Sequence, residues 1–121
     1  MNYRKDAGVA AEELARQYLE AAGLMFVSRN YRCKSGELDL VMLERHTLVL
    51  VEVRYRRLSR FGGAAASVDI WKQRRFTNAA RHLLLTHKQL RRYPVRFDVI
   101  AIDRRQSGDH IEWIKDAFQS T

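Results

Sequence analysis

The sequence is poor in residues that cross-link or interrupt a chain: its 121 residues include one cysteine, one proline and six glycines. The single cysteine, Cys33, excludes an intramolecular disulfide and a four-cysteine zinc site, and it favours a reducing, intracellular setting. So little proline and glycine excludes a collagen-like or low-complexity chain. No run approaches the roughly 18 apolar residues that cross a bilayer, and no signal-peptide block is present. We therefore expect a cytoplasmic protein with no membrane partner.

Positive charge is what the chain has in excess. Lysine and arginine total 22 against 14 acidic residues, a formal net charge of +8, and 17 of the 22 are arginine. Arginine contacts phosphate oxygens in a bidentate way and stacks on bases, which favours a nucleic-acid partner. The alternative is a basic surface that serves solubility or docks onto an acidic protein or lipid.

The hydrophobic pattern predicts one mixed α/β domain over residues 1–121, with a core at about 6–103 and a C-terminal strand and tail at 104–121. The first helix, with an apolar stripe of Val9, Leu14, Tyr18 and Leu19, ends at Gly23. Asp69 is expected to cap the second helix. The third strand is apolar enough to be covered on both faces. The predicted helices span residues 6–22 and 70–90, and the predicted strands span 24–32, 37–44, 47–55, 95–102 and 111–114.

Two predicted strands place acidic residues opposite each other. If Arg45 and His46 form a two-residue hairpin loop, opposed residues have numbers that sum to 91. Asp39 then lies opposite Glu52, and Glu37 and Arg54 project from the same face because residues two apart share a face. A bulge or an odd-length loop would break this arrangement.

Opposed carboxylates repel each other unless one holds a proton or a cation lies between them. Mg²⁺ suits such a pair because it prefers oxygen ligands from one or two carboxylates together with water and phosphate. The alternative is that Glu52 pairs with Arg54 or Arg56 at a sheet edge and that Asp39 pairs with Lys34. Glu52 interrupts an apolar strand, where a carboxylate is costly without a partner or a task, and this favours a functional site.

Several short motifs resemble a known family. Asp39 followed by Glu52 and Arg54 resembles the split acidic motif of the PD-(D/E)xK nucleases, which share the restriction-endonuclease-like fold. The whole set more closely resembles the uncharacterised bacterial YraN family, over about residues 8–102. The motifs are GELDLV at 36–41, LVEVR at 50–54, RFDV at 96–99, RNYR at 29–32 and the helix pattern Glu12, Ala15, Leu19, Gly23.

The resemblance implies an αβββαβ restriction-endonuclease-like domain with a central mixed sheet flanked by helices, related to Holliday-junction resolvases. It implies Mg²⁺- or Mn²⁺-dependent cleavage of branched DNA by a protein that forms a homodimer. Asp39 and Glu52 are the implied metal ligands and catalytic acids. Glu12 is implied to complete the metal site, with Glu13 as its neighbouring alternative; otherwise Glu12 is an ordinary exposed acid on the helix surface. The family's own activity is undefined.

One position departs from the nuclease motif. Arg54 stands where the motif has lysine, and an arginine stabilises negative charge but cannot readily take a proton. Lys72, one turn before Phe76, is a second candidate for a catalytic cation, or else a lysine at the helix edge. The resulting hypotheses are a nuclease, a nucleic-acid-binding module with the same fold but no activity, and a basic partner of an acidic protein.

Arginines also form two candidate nucleic-acid contacts. Arg54, Arg56, Arg57 and Arg60 follow the acidic strand closely, and such a loop suits a phosphate backbone. A second set recurs along the acid-free second helix, where a solvated face is the alternative, and comprises Arg74, Arg81, Lys88 and Arg92. The tryptophans Trp71 and Trp113 are expected to pack in the interior.

Overall fold

The computed structural model describes residues 3–56 and 70–118. The predicted order of elements is confirmed, with one additional short turn of 3₁₀ helix at Lys88–Arg92. Asp69, Arg57 and Arg60 lie outside the described residues, so the predicted cap and part of the arginine loop do too. The elements are α1 (Tyr3–Ala21), β1 (Met25–Cys33), β2 (Gly36–Glu44), β3 (Thr47–Arg56), α2 (Ile70–Thr86), β4 (Val95–Arg105) and β5 (Gly108–Ile114).

The described strands form one mixed five-stranded sheet in the order β1-β2-β3-β4-β5. β3 and β4 pair in parallel, with α2 between them in the sequence, and the other neighbours pair antiparallel. Helices flank both faces of the sheet, which confirms the predicted mixed α/β class. In the described part of the chain, neither helix has the length and apolar character needed to cross a membrane.

The sheet separates two hydrophobic clusters, which we call the α1 cluster and the α2 cluster after the helix in each. The strand β3 contributes to both, because Leu48 and Leu50 lie in the α2 cluster while Val49 and Val51 lie in the α1 cluster. All four side chains are fully buried. The prediction of a strand covered on both faces is therefore confirmed.

The buried stripe of α1 differs from the prediction. Ala11, Ala15 and Leu19 are buried at a spacing of four, whereas Val9 is 49% exposed and Tyr18 is 39% exposed. Because residues four apart share a helix face, small alanines rather than the larger Val9 define the face that packs on the sheet. Small side chains let the helix approach the sheet closely.

The helix α2 ends at Thr86, not at residue 90. His87 leaves the helical conformation, with φ −125° and ψ 78°, although its backbone N–H still donates to Leu83. Arg91 then satisfies free carbonyls at the helix end: its Nε donates to Leu84 O at 2.7 Å and its Nη2 to Leu85 O at 3.3 Å. The basic residues predicted to follow one helical face therefore lie on two separate elements.

Candidate active site

The strand β2 changes face at Asp39. Leu38 packs in the α2 cluster and Leu40 packs in the α1 cluster, although residues two apart in a regular strand share a face. In the neighbouring strand β1, Asn30 has a left-handed backbone with φ 53°. Beyond it, Tyr31 packs against the α2 cluster. The β1–β2 ribbon therefore reverses its faces at one place, and this irregularity lies at the predicted acidic site.

The predicted hairpin register is confirmed where the two strands pair. β2 and β3 pair with a sum of 91 as far as Leu40 opposite Val51. One residue beyond this pair, the Oδ2 atom of Asp39 accepts a hydrogen bond of 2.8 Å from the backbone N–H of Val53. A side-chain hydrogen bond thus continues the connection between the strands, and it fixes one oxygen of Asp39 next to Glu52.

The acids share a cavity of about 250 Å³ with basic side chains from β3 and α2. Four of the predicted site residues meet here, namely Asp39, Glu52, Arg54 and Lys72. The structure therefore brings together residues from three elements that are as much as 33 positions apart in the sequence (39 to 72). The described lining is Glu37, Asp39, Glu52, Val53, Arg54, Lys72, Arg75 and Phe76.

Asp39 is strained electrostatically. Burial, together with the charges of Glu52, Glu12 and Glu37, raises the pKa of its carboxyl from the ordinary value of 3.8 to about 7. The hydrogen bond from Val53 acts in the opposite direction. A carboxyl in this environment is only partly ionised near neutral pH unless a positive charge is added beside it.

Glu12 acts on the site from α1. Burial raises the pKa of its carboxyl, a hydrogen bond with Asn30 lowers it, and its charge in turn raises the pKa of Asp39. Its neighbour Glu13 instead forms an ion pair of 3.2 Å with Arg29, which favours Glu12 as the acid near the site. Among the described lining residues of the cavity, however, Glu12 is not found.

The three predicted metal ligands do not form a ready-made metal site. Within residues 3–56 and 70–118, no group of three or more histidines, cysteines, aspartates or glutamates is arranged to hold a metal ion. Asp39 and Glu52 lie in one cavity, together with Glu37. Their oxygen donors match the chemistry of a hard divalent cation, which commonly takes one or two protein carboxylates.

Glu52 has a cationic neighbour. It is 9% exposed, and its Oε1 atom accepts a hydrogen bond of 3.4 Å from Nη1 of Arg54. The alternative in which Glu52 pairs with Arg54 is therefore what the structure has, whereas Asp39 bonds to Val53 rather than pairing with Lys34 as that alternative supposed. This ion pair offsets part of the negative charge that the acids bring to the cavity.

A glycine allows α2 to reach the site. A Cβ atom at Gly36 would lie 1.8 Å from the carbonyl oxygen of Arg75, so only a residue without a side chain permits this contact of backbones. Arg75 follows Lys72 by three residues, so this contact lies within one helical turn of Lys72. Both residues line the cavity. The glycine of the GELDLV motif thereby positions the basic side of the site.

The predicted basic residues divide between the site and the surface. Arg74 and Arg81 are exposed on α2, and Arg81 lines a separate cleft of about 350 Å³ without belonging to the acidic cavity's described lining. For Arg56 only the backbone lies within the described residues. The expectation that Trp71 packs in the interior is wrong, because it is 69% exposed. Trp113 is half-buried, as expected of a packing residue.

Asp98 is the centre of a hydrogen-bond network that was not predicted from the sequence. It is fully buried and accepts two hydrogen bonds of 2.9 Å from Arg96, one of 2.9 Å from Nε1 of Trp113 and one of 2.9 Å from the backbone N–H of Asp116. This network joins β4 to β5 and the following turn. The RFDV motif was the available signal, and its function is structural.

A second unforeseen group ties the edge strand β1 to α2. The hydroxyl of Tyr31 bonds to Nδ1 of His82, and it lies 3.1 Å from Oγ1 of Thr86. Thr86 in turn bonds to Nδ1 of His87 at 2.9 Å. The RNYR motif contains this tyrosine, but sequence spacing gave no indication of its partners.

Known proteins resemble this chain over most of its length, including the residues of the cavity. A family model described as "Uncharacterised protein family UPF0102" matches residues 11–102. A UPF0102 protein of Stutzerimonas stutzeri is 46% identical over 120 residues, covering 99% of this chain and 100% of the relative. UPF0102 proteins of Nitrosococcus oceani and Saccharophagus degradans are 46% and 47% identical, covering 95% and 98% of this chain and 93% and 97% of the relatives.

Proposed function

This chain belongs to the uncharacterised protein family UPF0102, the YraN family, and we propose that it is a divalent-metal-dependent endonuclease acting on branched or structured DNA. The observation that carries the proposal is the shared cavity of Asp39, Glu52, Arg54 and Lys72. Carboxylates beside positive side chains match the needs of phosphodiester hydrolysis, in which a metal and positive side chains meet a phosphate.

Asp39 and Glu52 would hold the cation, which is Mg²⁺ or Mn²⁺, and Glu12 would add negative charge from α1. When bound, such a cation polarises a phosphate oxygen and lowers the pKa of water. The raised pKa of Asp39 supports this assignment because a cation there would relieve the repulsion among the acids. The hydrogen bond from Val53 orients the Asp39 carboxylate before any ligand binds.

Arg54 and Lys72 have different tasks in the cavity. An arginine cannot readily give or take a proton, so Arg54 would stabilise negative charge that develops on the phosphate. Its ion pair with Glu52 holds the guanidinium close to the acids. Lys72 lines the opposite part of the site, on α2, and would orient the phosphate.

The proposal also covers the partner, the cellular location and the oligomeric state. The partner is DNA, and the excess of 22 basic over 14 acidic residues supports it through attraction to phosphate. A cytoplasmic location agrees with the single cysteine. A homodimer would place two such sites on the two strands of a branched substrate.

A second function is a nucleic-acid-binding module that does not cleave. One observation favours it: Arg54 stands where the nuclease motif has lysine, and it already neutralises Glu52 at 3.4 Å. In that protein the acids and the arginine would form a stable ion-pair cluster, and the basic surface alone would contact the backbone.

The test incubates the purified protein with junction, flap and linear DNA in Mg²⁺, in Mn²⁺ and in EDTA. We expect metal-dependent cleavage that falls at least about 100-fold in Asp39→Asn and Glu52→Gln while binding in EDTA is retained. Glu112→Gln, an exposed acid on β5, is the matched control and should cleave normally. Binding without cleavage by the wild type would establish the second function, and absence of binding at moderate salt would refute both.

A further inference from the structure

Trp71 presents an exposed aromatic surface at the start of α2. Its side chain is 69% exposed, and Ile70 beside it is 50% exposed. Tryptophan is usually buried to a large extent because its apolar area is large. Together, Trp71 and Ile70 form a contiguous exposed apolar patch, a feature typical of ligand and partner surfaces.

The position of Trp71 on its helix places it beside the acidic cavity. Residues four apart lie on the same helix face, so Trp71 lies one turn before Arg75, which lines the cavity. The next residue along the chain, Lys72, lines the cavity too. The contact of Arg75 with Gly36 holds this turn of α2 against β2, so the indole is carried on a fixed element.

The surroundings of Trp71 are basic. The guanidinium of Arg74 lies 5.6 Å from the centroid of the indole ring, within the range of a cation–π contact. Residues 70–97 contain no aspartate or glutamate. An aromatic ring among positive charges is complementary to nucleic acid, in which flat bases are linked by negative phosphates.

We infer that Trp71 is a base-stacking residue that binds an unpaired nucleobase while the adjoining phosphates contact Lys72 and Arg75. The inference rests on the proposed function for its ligand, and it deepens that proposal by naming the feature recognised. Bases inside a duplex have no free face, so the structure assigns a preference for DNA with single-stranded segments. Arg74 lies over the ring, where a guanidinium can also contact the phosphate next to a stacked base.

The binding test compares two labelled single strands of equal length in EDTA, an oligothymidylate and an abasic strand with the same number of phosphates. Stacking is worth about 1–3 kcal/mol per base, which corresponds to roughly 5- to 150-fold in affinity. Trp71→Ala should weaken oligothymidylate binding by about tenfold or more and leave abasic binding within about twofold. Trp71→Phe, which keeps an aromatic ring, should restore most of the affinity.

Leu85 provides a matched control. It is 67% exposed on the same helix, almost four turns after Trp71, so Leu85→Ala removes a similar exposed apolar surface elsewhere. We expect its affinity for both strands to equal that of the wild type. Circular dichroism would verify that each variant keeps the wild-type helix content.

Tryptophan fluorescence gives an independent readout. Stacking should quench the emission of Trp71, whereas Trp113 packs against the α1 cluster on the other face of the sheet. Titration with oligothymidylate should therefore quench wild-type emission, and Trp71→Phe should abolish that quenching. The abasic strand should quench neither protein.

The outcomes separate this inference from the proposed endonuclease. An equal loss on both strands in Trp71→Ala, or no loss on either, would refute stacking even if the wild type cleaves DNA. A selective loss on oligothymidylate would support stacking even if no metal produces cleavage. A wild type that binds neither single strand would refute stacking, whereas metal-dependent cleavage of junction or flap DNA by the same protein would still support the endonuclease.

Discussion

Replacing Asp39 with asparagine tests the electrostatic strain at the site directly. Asparagine keeps a side-chain oxygen that accepts the 2.8 Å hydrogen bond from Val53, but it has no charge to bury. The variant therefore removes the repulsion with Glu52 and Glu12 and retains the local geometry. We expect Asp39→Asn to stabilise the metal-free protein at alkaline pH.

The size and sign of the effect follow from the pKa. Burial raises the pKa of Asp39 from 3.8 to about 7, so the folded state holds a proton that the unfolded state has lost. This stabilisation is fully present below about pH 4 and is lost as the pH rises through about 7. The complete shift of about three units corresponds to about 4 kcal/mol, of which about 2.5 kcal/mol is lost between about pH 5 and pH 8.

Urea denaturation in EDTA, followed by far-ultraviolet circular dichroism, measures this difference. Wild type and Asp39→Asn are compared at both pH values, so that contributions from the four histidines cancel. The stability gained by the variant should be about 2.5 kcal/mol larger at about pH 8 than at pH 5. An equal difference at the two pH values, or a larger one at pH 5, would refute the strained carboxylate.

Two further substitutions test the framework around the site. Gly36→Ala should destabilise the fold by about 1–3 kcal/mol in urea denaturation, because its Cβ would lie 1.8 Å from Arg75 O. The control Gly8→Ala should be neutral or stabilising, because a Cβ there meets nothing within 4 Å. Equal effects of the two substitutions would contradict the close contact at Gly36. Asp98→Ala should lower the free energy of unfolding by about 3 kcal/mol or more, because it leaves Arg96 without its 2.9 Å partner. The control Glu20→Ala, which breaks an exposed ion pair with Arg16, should lower it by less than about 0.5 kcal/mol. Equal losses of stability in the two variants would contradict a structural role for Asp98.

The order of elements and the hairpin could be predicted from the sequence because local signals determine them. Arg45 adopts a left-handed conformation with φ 55°, as a two-residue turn requires, and the resulting register follows arithmetically as far as Leu40 opposite Val51. Gly23, with φ 100°, ends α1 as predicted. Each of these features depends on residues close together in the chain.

The remaining features depend on tertiary contacts that alternation cannot reveal. Nothing local distinguishes Val9 from Ala11, yet Val9 is exposed and Ala11 is buried because of how closely α1 approaches the sheet. Likewise, the change of face at Asp39 accompanies the left-handed backbone of Asn30 on another strand. The prediction of a shared site assumed that side chains alternate regularly between the two faces of β2. The cavity forms even though this alternation is interrupted at Asp39.

The energetic penalty at Asp39 itself supports a function for the charge. A loss of about 4 kcal/mol is a large part of the 5–15 kcal/mol that stabilises an ordinary domain. Asparagine could still accept the hydrogen bond from Val53 without a buried charge, so this hydrogen bond alone does not require a carboxylate. A buried charge that destabilises its own fold is typical of sites where a ligand supplies the compensating charge. In the cation-binding proposal, that ligand is a divalent cation. The stabilities of the wild type and Asp39→Asn, each compared in EDTA and in Mg²⁺, test this proposal. Added Mg²⁺ should stabilise the wild type and leave the stability of the variant unchanged.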